Sequence, residues 1–307
     1  MIRRILFAVV ILLNGIAAWS QIKIQKGDLN FIVANDLGRN GYYEQKAVAA
    51  TMGEVAEHLG PDAVLALGDI HHYGGVQSVS DPLWYTNYEL IYSHPELMVN
   101  WYPICGNHEY RGNTQAVVDY SNVSRRWCMP SRYYTKVFED NGTTIRIVFL
   151  DTAPLIGKYR KKTDTYPDAA LQNPQEQLQW LEKTLSEASE DWIVVVGHHP
   201  IYADTDKSES ERTDMQRNVD TILRKHNVDM YICGHIHNYQ HIRRQDSSID
   251  YVVNTSASLT RKPGKTPDTK FCSDAPGFSV LTADSHSLRL NLLDKDGMVI
   301  YTVEKNK

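Results

Sequence analysis

The sequence predicts an α/β fold, in which strands and helices alternate along a chain of 307 residues. Three observations predict this fold. Short apolar runs recur along the chain, amphipathic helical patterns lie between several of them, and 42% of the residues are hydrophobic, enough for a large buried core. Because no Pro/Gly/Ser-rich linker and no internal repeat divides the chain, we predict one domain.

The apolar runs have the length of strands, and each ends abruptly in Gly, Asn or Asp. Such runs are typical of strands that are buried on both faces. The predicted strands are residues 31–34, 63–67, 102–105, 145–150, 193–196 and 230–233.

Helical periodicity fills the gaps between several of these strands. The predicted helices are residues 44–59, 175–188 and 215–225. The C-terminal part changes character, because its short apolar segments are separated by turns instead of helices. We predict an antiparallel meander there, with strands at residues 251–253, 278–281, 288–293 and 299–303.

The N-terminus has the pattern of a secretory signal peptide. Arg3 and Arg4 precede an apolar run over residues 5–16, and small residues follow up to Ser20. The run contains Asn14 and is shorter than the roughly 20 apolar residues of a membrane span, which argues against an uncleaved anchor. We therefore predict a signal peptide at residues 1–20, a mature domain at 21–307 without a membrane span, and a secreted or periplasmic protein.

The overall charge gives no support to a nucleic-acid partner. The formal net charge is −5 at pH 7, whereas nucleic-acid-binding domains usually carry a basic patch or stripe.

Polar fragments follow five of the predicted strands directly. They are Asp36-Leu37-Gly38, Gly68-Asp69-Ile70-His71-His72-Tyr73, Gly106-Asn107-His108-Glu109, Gly197-His198-His199-Pro200 and Gly234-His235-Ile236-His237, and they contain seven of the twelve histidines. Each fragment alone is a weak signal, since Gly-Asp and Asn-His are common in turns. In open α/β sheets, however, the carboxyl ends of strands line the ligand crevice, so we expect these loops to meet in one place.

The donor types in these fragments predict a metal site of a particular class. Carboxylates, an amide oxygen and imidazoles suit hard or borderline cations such as Fe, Mn or Zn. About seven candidate ligands, including a carboxylate able to bridge, exceed the needs of one catalytic ion. They suit two metals about 3.5–4 Å apart, an arrangement that clamps the attacking and leaving oxygens of a displacement at phosphorus.

This ordered set of motifs resembles the calcineurin-like metallophosphoesterases, and specifically the small purple (tartrate-resistant) acid phosphatases. The resemblance extends from Asp36 to about Val303, and residues 75–77, 149–152 and 177–181 also match. It implies a four-layer α/β/β/α sandwich with mixed sheets. It also implies hydrolysis of phosphate monoesters by a metal-bound hydroxide at a dinuclear centre. A phosphodiesterase of the same superfamily is the alternative, and a non-catalytic metal-binding protein is a third hypothesis.

The resemblance also implies roles for individual residues. Asp36 and His237 are expected to bind the first metal, and Asp69 is expected to bridge both. Asn107, His198 and His235 are expected to complete the second site. His108 is expected to face the phosphate as a proton donor or electrostatic stabiliser, whereas Glu109 is not expected to be a ligand.

One departure concerns the tyrosine that ligates ferric iron in the purple enzymes, three residues after the bridging aspartate. That position here is His72, and Tyr73 lies one residue late. Either His72 replaces the tyrosine as a ligand of the first metal, or a local shift of the backbone brings Tyr73 in. We favour His72, because imidazole suits all the candidate metals and no insertion is needed. His71 points the other way and is expected beside the ligands or at the rim.

A second departure is the lack of histidine in residues 203–212, where the family often has one that faces the substrate. His199 is expected either to substitute for it in part or to pack beside His198. The expected cofactors are two divalent or trivalent ions, Fe with Fe, Zn or Mn. The expected partner is a small phosphate ester, and we expect a monomer.

Overall fold

A computed structural model describes residues 24–307 of the chain. The strands in this part of the chain are β1 (Leu29–Ala34), β2 (Ala63–Ala66), β3 (Trp101–Pro103), β4 (Tyr134–Asp140), β5 (Thr143–Phe149), β6 (Trp192–Val196), β7 (Met230–Cys233), β8 (Tyr239–Ile242), β9 (Asp250–Val253), β10 (Thr269–Ser273), β11 (Gly277–Ala283), β12 (Ser287–Asp294) and β13 (Val299–Asn306). The α-helices are α1 (Gln45–Leu59), α2 (Thr114–Asp119), α3 (Gly157–Lys161), α4 (Pro174–Ser186), α5 (Glu209–Met215) and α6 (Thr221–Lys225), and a π turn at Gln216–Asp220 joins the last two.

The strands form two mixed sheets. The first sheet has the order β13-β12-β11-β1-β2-β3, and the second has the order β10-β8-β9-β7-β6-β5-β4. Strands β1, β2 and β3 run parallel in the first sheet, as do β5, β6, β7 and β9 in the second. Each sheet therefore presents a row of parallel carboxyl ends.

The two sheets pack face to face, and helices cover their outer faces. The ring of Phe31 in β1 lies 4.8 Å from that of Phe138 in β4, and the Tyr239 hydroxyl in β8 donates to the Phe278 carbonyl oxygen of β11 at 2.7 Å. Helix α1 packs on β1 and β11. Helix α4 lies beside α6, and its Gln177 side chain bonds the backbone of Asp151 just beyond β5. The predicted four-layer α/β/β/α sandwich is confirmed.

Helix α1 illustrates how the local sequence sets an element. Its buried Val48, Met52, Val55 and Leu59 recur at helical spacing and form one apolar face. It ends at Gly60, which adopts the left-handed conformation with φ of 61° and donates its N–H to the Ala56 carbonyl oxygen.

The predicted runs at 31–34, 63–67, 102–105, 145–150, 193–196 and 230–233 correspond to β1, β2, β3, β5, β6 and β7. The predicted helices correspond to α1, α4 and the segment ending in α6. The helix predicted at 215–225 begins earlier, at Glu209, and contains the π turn.

One predicted strand belongs to a different sheet from the one expected. Residues 251–253 form part of β9, but β9 does not belong to the C-terminal meander. It pairs parallel with β7 and antiparallel with β8, whereas the meander consists of β11, β12 and β13. The short apolar run predicted a strand correctly, but pairing is a long-range property that the run itself does not encode. Strands β4, β8 and β10 were not predicted, because their sequences mix polar and apolar residues.

No helix within residues 24–307 is both long and apolar enough to cross a membrane. The predicted signal peptide, residues 1–20, lies outside the described residues.

Candidate metal centre

The predicted ligands lie just beyond the parallel strands of both sheets. In the first sheet Asp36 follows β1, Asp69 follows β2 and Asn107 follows β3. In the second sheet His198 follows β6 and His235 follows β7, while His237 comes just before β8. Because the sheets pack face to face with these ends at the same edge, loops distant in sequence meet there.

The first group of ligand atoms comes from Asp36, Asp69, His72 and His237, which are all buried and lie within 4.8 Å of one another. Nε2 of His237 lies 3.1 Å from Oδ1 of Asp36, and Nε2 of His72 lies 3.4 Å from Oδ2 of Asp69. Nδ1 of His72 lies 2.9 Å from the Gly38 carbonyl oxygen, and Nδ1 of His237 lies 2.7 Å from that of Leu259. A proton on each Nδ1 leaves a lone pair on each Nε2, directed at the carboxylates.

The second group contains His198, His199 and His235. Nε2 of His198 lies 3.2 Å from Oδ2 of Asp69, while its Nδ1 contacts the Leu67 carbonyl oxygen at 2.9 Å. His199 differs, because its Nδ1 is bonded to the Thr152 hydroxyl at 2.8 Å and its Nε2 to the Tyr159 hydroxyl at 3.0 Å. His199 therefore packs beside His198 with both ring nitrogens already occupied.

His235 is held by a carboxylate that the sequence patterns did not point to. Its Nε2 lies 3.0 Å from Oε2 of Glu211, a buried residue of α5. A carboxylate accepts a hydrogen bond, so this nitrogen carries the proton and the lone pair of His235 is on Nδ1. Glu211 also accepts from Lys158 at 2.5 Å and from the Tyr159 hydroxyl at 3.0 Å.

The unpartnered polar atoms of this region test whether a metal pair fits. Buried polar atoms are nearly always hydrogen-bonded, and leaving one unpaired costs about 1–3 kcal/mol. Five atoms here are buried and have no hydrogen-bond partner among residues 24–307: Asp36 Oδ1, Asp69 Oδ2, His72 Nε2, Asn107 Oδ1 and His198 Nε2. Each is the ligand atom of a predicted metal ligand. Oxygen and imidazole donors suit hard or borderline cations, so the residues fit a metal centre.

Backbone strain is concentrated in the same loops. Asp36, Asp69, His235 and His237 have φ values of 51°, 52°, 74° and 61°. Non-glycine residues rarely adopt this conformation, and it persists where the surrounding structure requires it. All four of these residues are buried, and all four are predicted ligands.

Charge in the site is concentrated on the carboxylates. Burial acts to raise the pKa of Asp36, but the influence of the adjacent His237 imidazole outweighs it and lowers the pKa below its ordinary value. Burial acts to lower the pKa of His198, but the Asp69 carboxylate outweighs it and raises the pKa to about 9. The Asp69 carboxylate therefore favours positive charge at the position of the His198 ring.

Glu109 organises the loops and does not face the ligand atoms. Its carboxylate accepts the backbone N–H groups of Gly106, Asp69 and His71 at 2.7, 2.8 and 3.0 Å. Burial, together with the Asp69 charge, raises the pKa of Glu109 to about 7. The loops after β2 and β3 are thereby held together by one buried side chain.

His108 lies at the accessible side of the cluster, with 13% of its side chain exposed. Its Nδ1 lies 2.7 Å from the Tyr73 carbonyl oxygen, and its Nε2 lies 3.9 Å from Oδ2 of Asp69. The ring centre is 4.1 Å from that of His72. Burial lowers the pKa of His108 to about 3, so the ring is neutral near pH 7.

The adjacent residues His71, His72 and Tyr73 point in three directions. His72 joins the first group, as described above. Tyr73 is 64% exposed, and its ring lies over the Arg39 guanidinium. His71 is fully buried away from the ligand atoms, with its ring edge-on to Trp84, and burial lowers its pKa to about 3.

Lys207 is a second charged residue at this site that no sequence motif indicates. Its Nζ lies 2.5 Å from the carbonyl oxygen of His235 and 3.4 Å from Nδ1 of the same residue. Burial lowers the pKa of Lys207 to about 8. Lys207 and Glu211 belong to a run of charged and hydroxyl residues that has the composition of a solvated surface, so no motif marks them.

The chain is similar to known phosphoesterases and acid phosphatases. Residues 29–239 match the family model described as calcineurin-like phosphoesterase. Purple acid phosphatase 3 of Arabidopsis thaliana is 31% identical in an alignment of 293 positions that covers 91% of this chain and 78% of that protein. Tartrate-resistant acid phosphatase type 5 of Oryctolagus cuniculus is 34% identical in an alignment of 220 positions that covers 70% of this chain and 67% of that protein.

A solved structure supports the fold alone. It is GAP50, the anchor in the inner membrane complex of Plasmodium, which superposes with a TM-score of 0.77 at 22% identity and covers 91% of this chain and 88% of its own. The family match covers more than half of the chain, and the relatives cover most of it. The chain therefore belongs to the calcineurin-like phosphoesterase family, as a relative of the purple and tartrate-resistant acid phosphatases.

Proposed function

We propose that this protein is an acid phosphatase that hydrolyses phosphate monoesters at a dinuclear metal centre. Membership of the family supports the reaction class. The observation that carries the proposal is the meeting of five buried atoms of candidate ligands, which have no hydrogen-bond partner among residues 24–307, at the edge shared by the two sheets. A phosphate monoester is a dianion near neutral pH, and a pair of cations is well suited to neutralise its charge.

The geometry supports a division of the ligands into two sets. Asp36, His72 and His237 would hold the first metal, and Asn107, His198 and His235 would hold the second. Asp69 would contribute to both, since its Oδ2 lies within 3.4 Å of the Nε2 atoms of His72 and His198. His235 would bind through Nδ1, because its Nε2 is bonded to Glu211.

Two bound metals would supply Lewis acidity, which lowers the pKa of water toward neutrality and neutralises charge on the phosphoryl oxygens. The chain's own groups position and protonate the substrate. His108 is on the accessible side, and because its Nδ1 donates to the Tyr73 carbonyl oxygen, it would deliver a proton to the leaving oxygen from Nε2 in its imidazolium form, which a neighbouring anionic phosphate favours. The Lys207 ammonium is close enough to the second group to attract an anionic substrate.

A comparison of two substrates tests the reaction class. The purified protein is offered p-nitrophenyl phosphate and bis(p-nitrophenyl) phosphate under identical conditions. We expect a higher kcat/KM for the monoester. Clearly faster turnover of the diester would replace the proposal with a phosphodiesterase, and turnover of neither would favour a non-catalytic protein.

The metals are proposed to be Fe with Fe, Zn or Mn, and His72 instead of Tyr73 is proposed as the ligand of the first. Elemental analysis together with the visible spectrum of the native protein tests both points. We expect two metals per chain and no strong charge-transfer band, because Tyr73 is exposed and its ring lies over Arg39. An intense visible band from tyrosinate bound to ferric iron would restore Tyr73 as the ligand.

The cellular context is also a proposal. The signal-like pattern of residues 1–20 supports a secreted or periplasmic protein that acts as a monomer on small phosphate esters. N-terminal sequencing of exported protein tests the cleavage, and a mature chain that begins near Gln21 is expected.

A further inference from the structure

A cleft of about 510 Å³ opens beside the first group of ligand atoms. It is lined by Arg39, Asn40, Tyr42, Tyr43, His72 and Tyr73. His72 belongs both to the cleft and to the first group, so the two are continuous. The other lining residues come from the loop after β1 and from Tyr73 in the loop after β2.

Arg39 is the charged group of this cleft, and two of its donor atoms are not used within the described part of the chain. The residue is 5% exposed, and its Nε and Nη1 are buried without a hydrogen-bond partner among residues 24–307. The guanidinium carbon lies 4.8 Å from the ring centre of Tyr73 and 5.9 Å from that of Tyr43. A buried cation with unpaired donors is costly, and an anionic ligand removes that cost by accepting charge-assisted hydrogen bonds.

The loop that carries Arg39 is held in place by polar contacts. The backbone N–H groups of Arg39 and Gly41 both donate to Oε1 of Gln45, at 2.9 and 2.7 Å. The N–H of Asn40 donates to Oδ1 of Asn87 at 2.6 Å. Arg39 is thus presented from a fixed backbone, so little conformational entropy would be lost on binding.

The tyrosines around Arg39 are unusually exposed. Tyr42, Tyr43 and Tyr73 have exposed fractions of 72%, 58% and 64%. Tyrosine rings supply a large contact area at low entropic cost and pack well against planar groups. Three such rings around one unpaired cation offer both an apolar surface and an anion site within a single cleft.

We propose that this cleft binds the leaving group of the substrate and selects leaving groups that carry a planar ring and a second anionic group. This inference rests on the proposed function, because the phosphoryl group must lie at the metal centre for the leaving group to extend past His72 into the cleft. Hydrolysis adds water to phosphorus, breaks the P–O ester bond and returns a proton to the leaving oxygen. The leaving group departs as an alcohol or phenol that still carries the anion bound by Arg39.

Four monoesters separate the contributions of the ring and the anion. Phenyl phosphate has a ring only, 4-carboxyphenyl phosphate has both, glycerol phosphate has neither, and 3-phosphoglycerate has an anion only. We expect 4-carboxyphenyl phosphate to have the highest kcat/KM. We expect Arg39→Leu to lower the kcat/KM ratio of 4-carboxyphenyl to phenyl phosphate by about tenfold, mainly through KM, since a hydrogen bond to a charged group is worth at least about 1.4 kcal/mol.

Two further variants and a control sharpen this test. Arg39→Lys keeps the charge and is expected to restore part of the ratio. Tyr73→Ala is expected to lower the ratio of phenyl phosphate to glycerol phosphate, and it tests the cleft even if Arg39→Leu fails to fold. Arg217→Leu is the control, because Arg217 is 67% exposed on the π turn and lies outside the cleft.

Direct binding separates this proposal from the proposed function. Saturation-transfer NMR on the purified protein compares 4-hydroxybenzoate with phenol, which are leaving groups and need no turnover. We expect preferential binding of 4-hydroxybenzoate that Arg39→Leu abolishes. If 4-hydroxybenzoate binds in this way but no ester is hydrolysed, the proposed phosphatase activity is wrong and the binding role of the cleft remains supported. An equal loss on all four esters in Arg39→Leu, or no preference for 4-hydroxybenzoate, would overturn the leaving-group site.

Discussion

The two sheets contribute different chemistry to the candidate metal centre. Loops of the first sheet supply every oxygen donor, from Asp36, Asp69 and Asn107, together with His72. Loops of the second sheet supply only imidazoles, from His198, His235 and His237. Neither sheet holds a complete set of ligands, so the centre exists only where the sheets meet.

The two sides also differ in how they are held. On the first side, the Glu109 carboxylate binds three backbone N–H groups and fixes two loops at once. On the second side, each imidazole depends on a single acceptor, which is the Leu67 carbonyl for His198, Glu211 for His235 and the Leu259 carbonyl for His237. Changes to the first side should therefore abolish the site, whereas changes to the supports of the second side should weaken it.

Removing the shared carboxylate should break both sides together. We expect Asp69→Asn to reduce kcat/KM for p-nitrophenyl phosphate by about a thousandfold, because metal Lewis acidity supplies several kcal/mol of transition-state stabilisation. Metal content, measured by elemental analysis, should fall with the activity. Asp119→Asn, on the exposed side of α2, is the matched control and should retain both. A variant at Asp69 with two metals and near-normal turnover would contradict the assignment.

His108 lies on the first side, beside His72 and Asp69, and belongs to neither set of ligands. We expect His108→Ala to lower kcat by about a hundredfold, the lower end of the usual contribution of a proton donor. The metal content should not change, because the side chain is 3.9 Å from Asp69 and is not a predicted ligand. Unchanged kcat would show that the residue has no role in proton delivery, and loss of metal would make it a ligand.

Weakening the support of the second side should have a smaller effect. We expect Glu211→Gln to lower the affinity for one of the two metals about 10- to 100-fold, as is usual for partners that orient a ligating histidine. Dialysis against increasing concentrations of a metal chelator, followed by elemental analysis, measures this affinity. Glu209→Gln, exposed on the same helix, should behave as wild type. Loss of both metals with equal ease would contradict the division of the site into two sides.

A buried acid outside the metal centre should affect the folding stability of the protein but not its metal content or turnover. Asp151 accepts a hydrogen bond from the Tyr110 hydroxyl, and burial raises its pKa from 3.8 to about 7. The folded chain thus keeps a proton that the unfolded chain releases, so stability is lost as pH rises between these two values. From pH 5 to 6.5 this group should lower the free energy of unfolding by roughly 2 kcal/mol.

Urea denaturation of wild type and Asp151→Asn at both pH values measures that contribution. The variant should lose less stability than wild type over this range, because its amide does not titrate. Identical pH dependence in the two proteins would mean that Asp151 is ionised in the folded state.

Much of the fold could be predicted from local sequence. The strand at 230–233 coincides with β7, and the helix predicted from residue 44 begins at Gln45, because burial periodicity and glycine stops are local signals. The sheet that contains β9 could not be predicted, since strand pairing depends on residues far apart in the chain. The same limit applies to the site, where Glu211 and Lys207 belong to a segment with no motif.

The sequence by itself determined the types of donor in this protein and their order, because each donor follows a buried strand within a few residues. Only the tertiary structure decided which atoms face one another. It turned His72 inward and Tyr73 outward, and it kept the lone pair of His235 on Nδ1 by bonding Nε2 to Glu211. It also placed exposed tyrosines around Arg39, whose Nε and Nη1 have no partner in the described part of the chain. These choices depend on contacts between loops of two different sheets. Secondary-structure propensity depends on residues that are close in sequence, so it does not predict such contacts, which form only when the sheets pack.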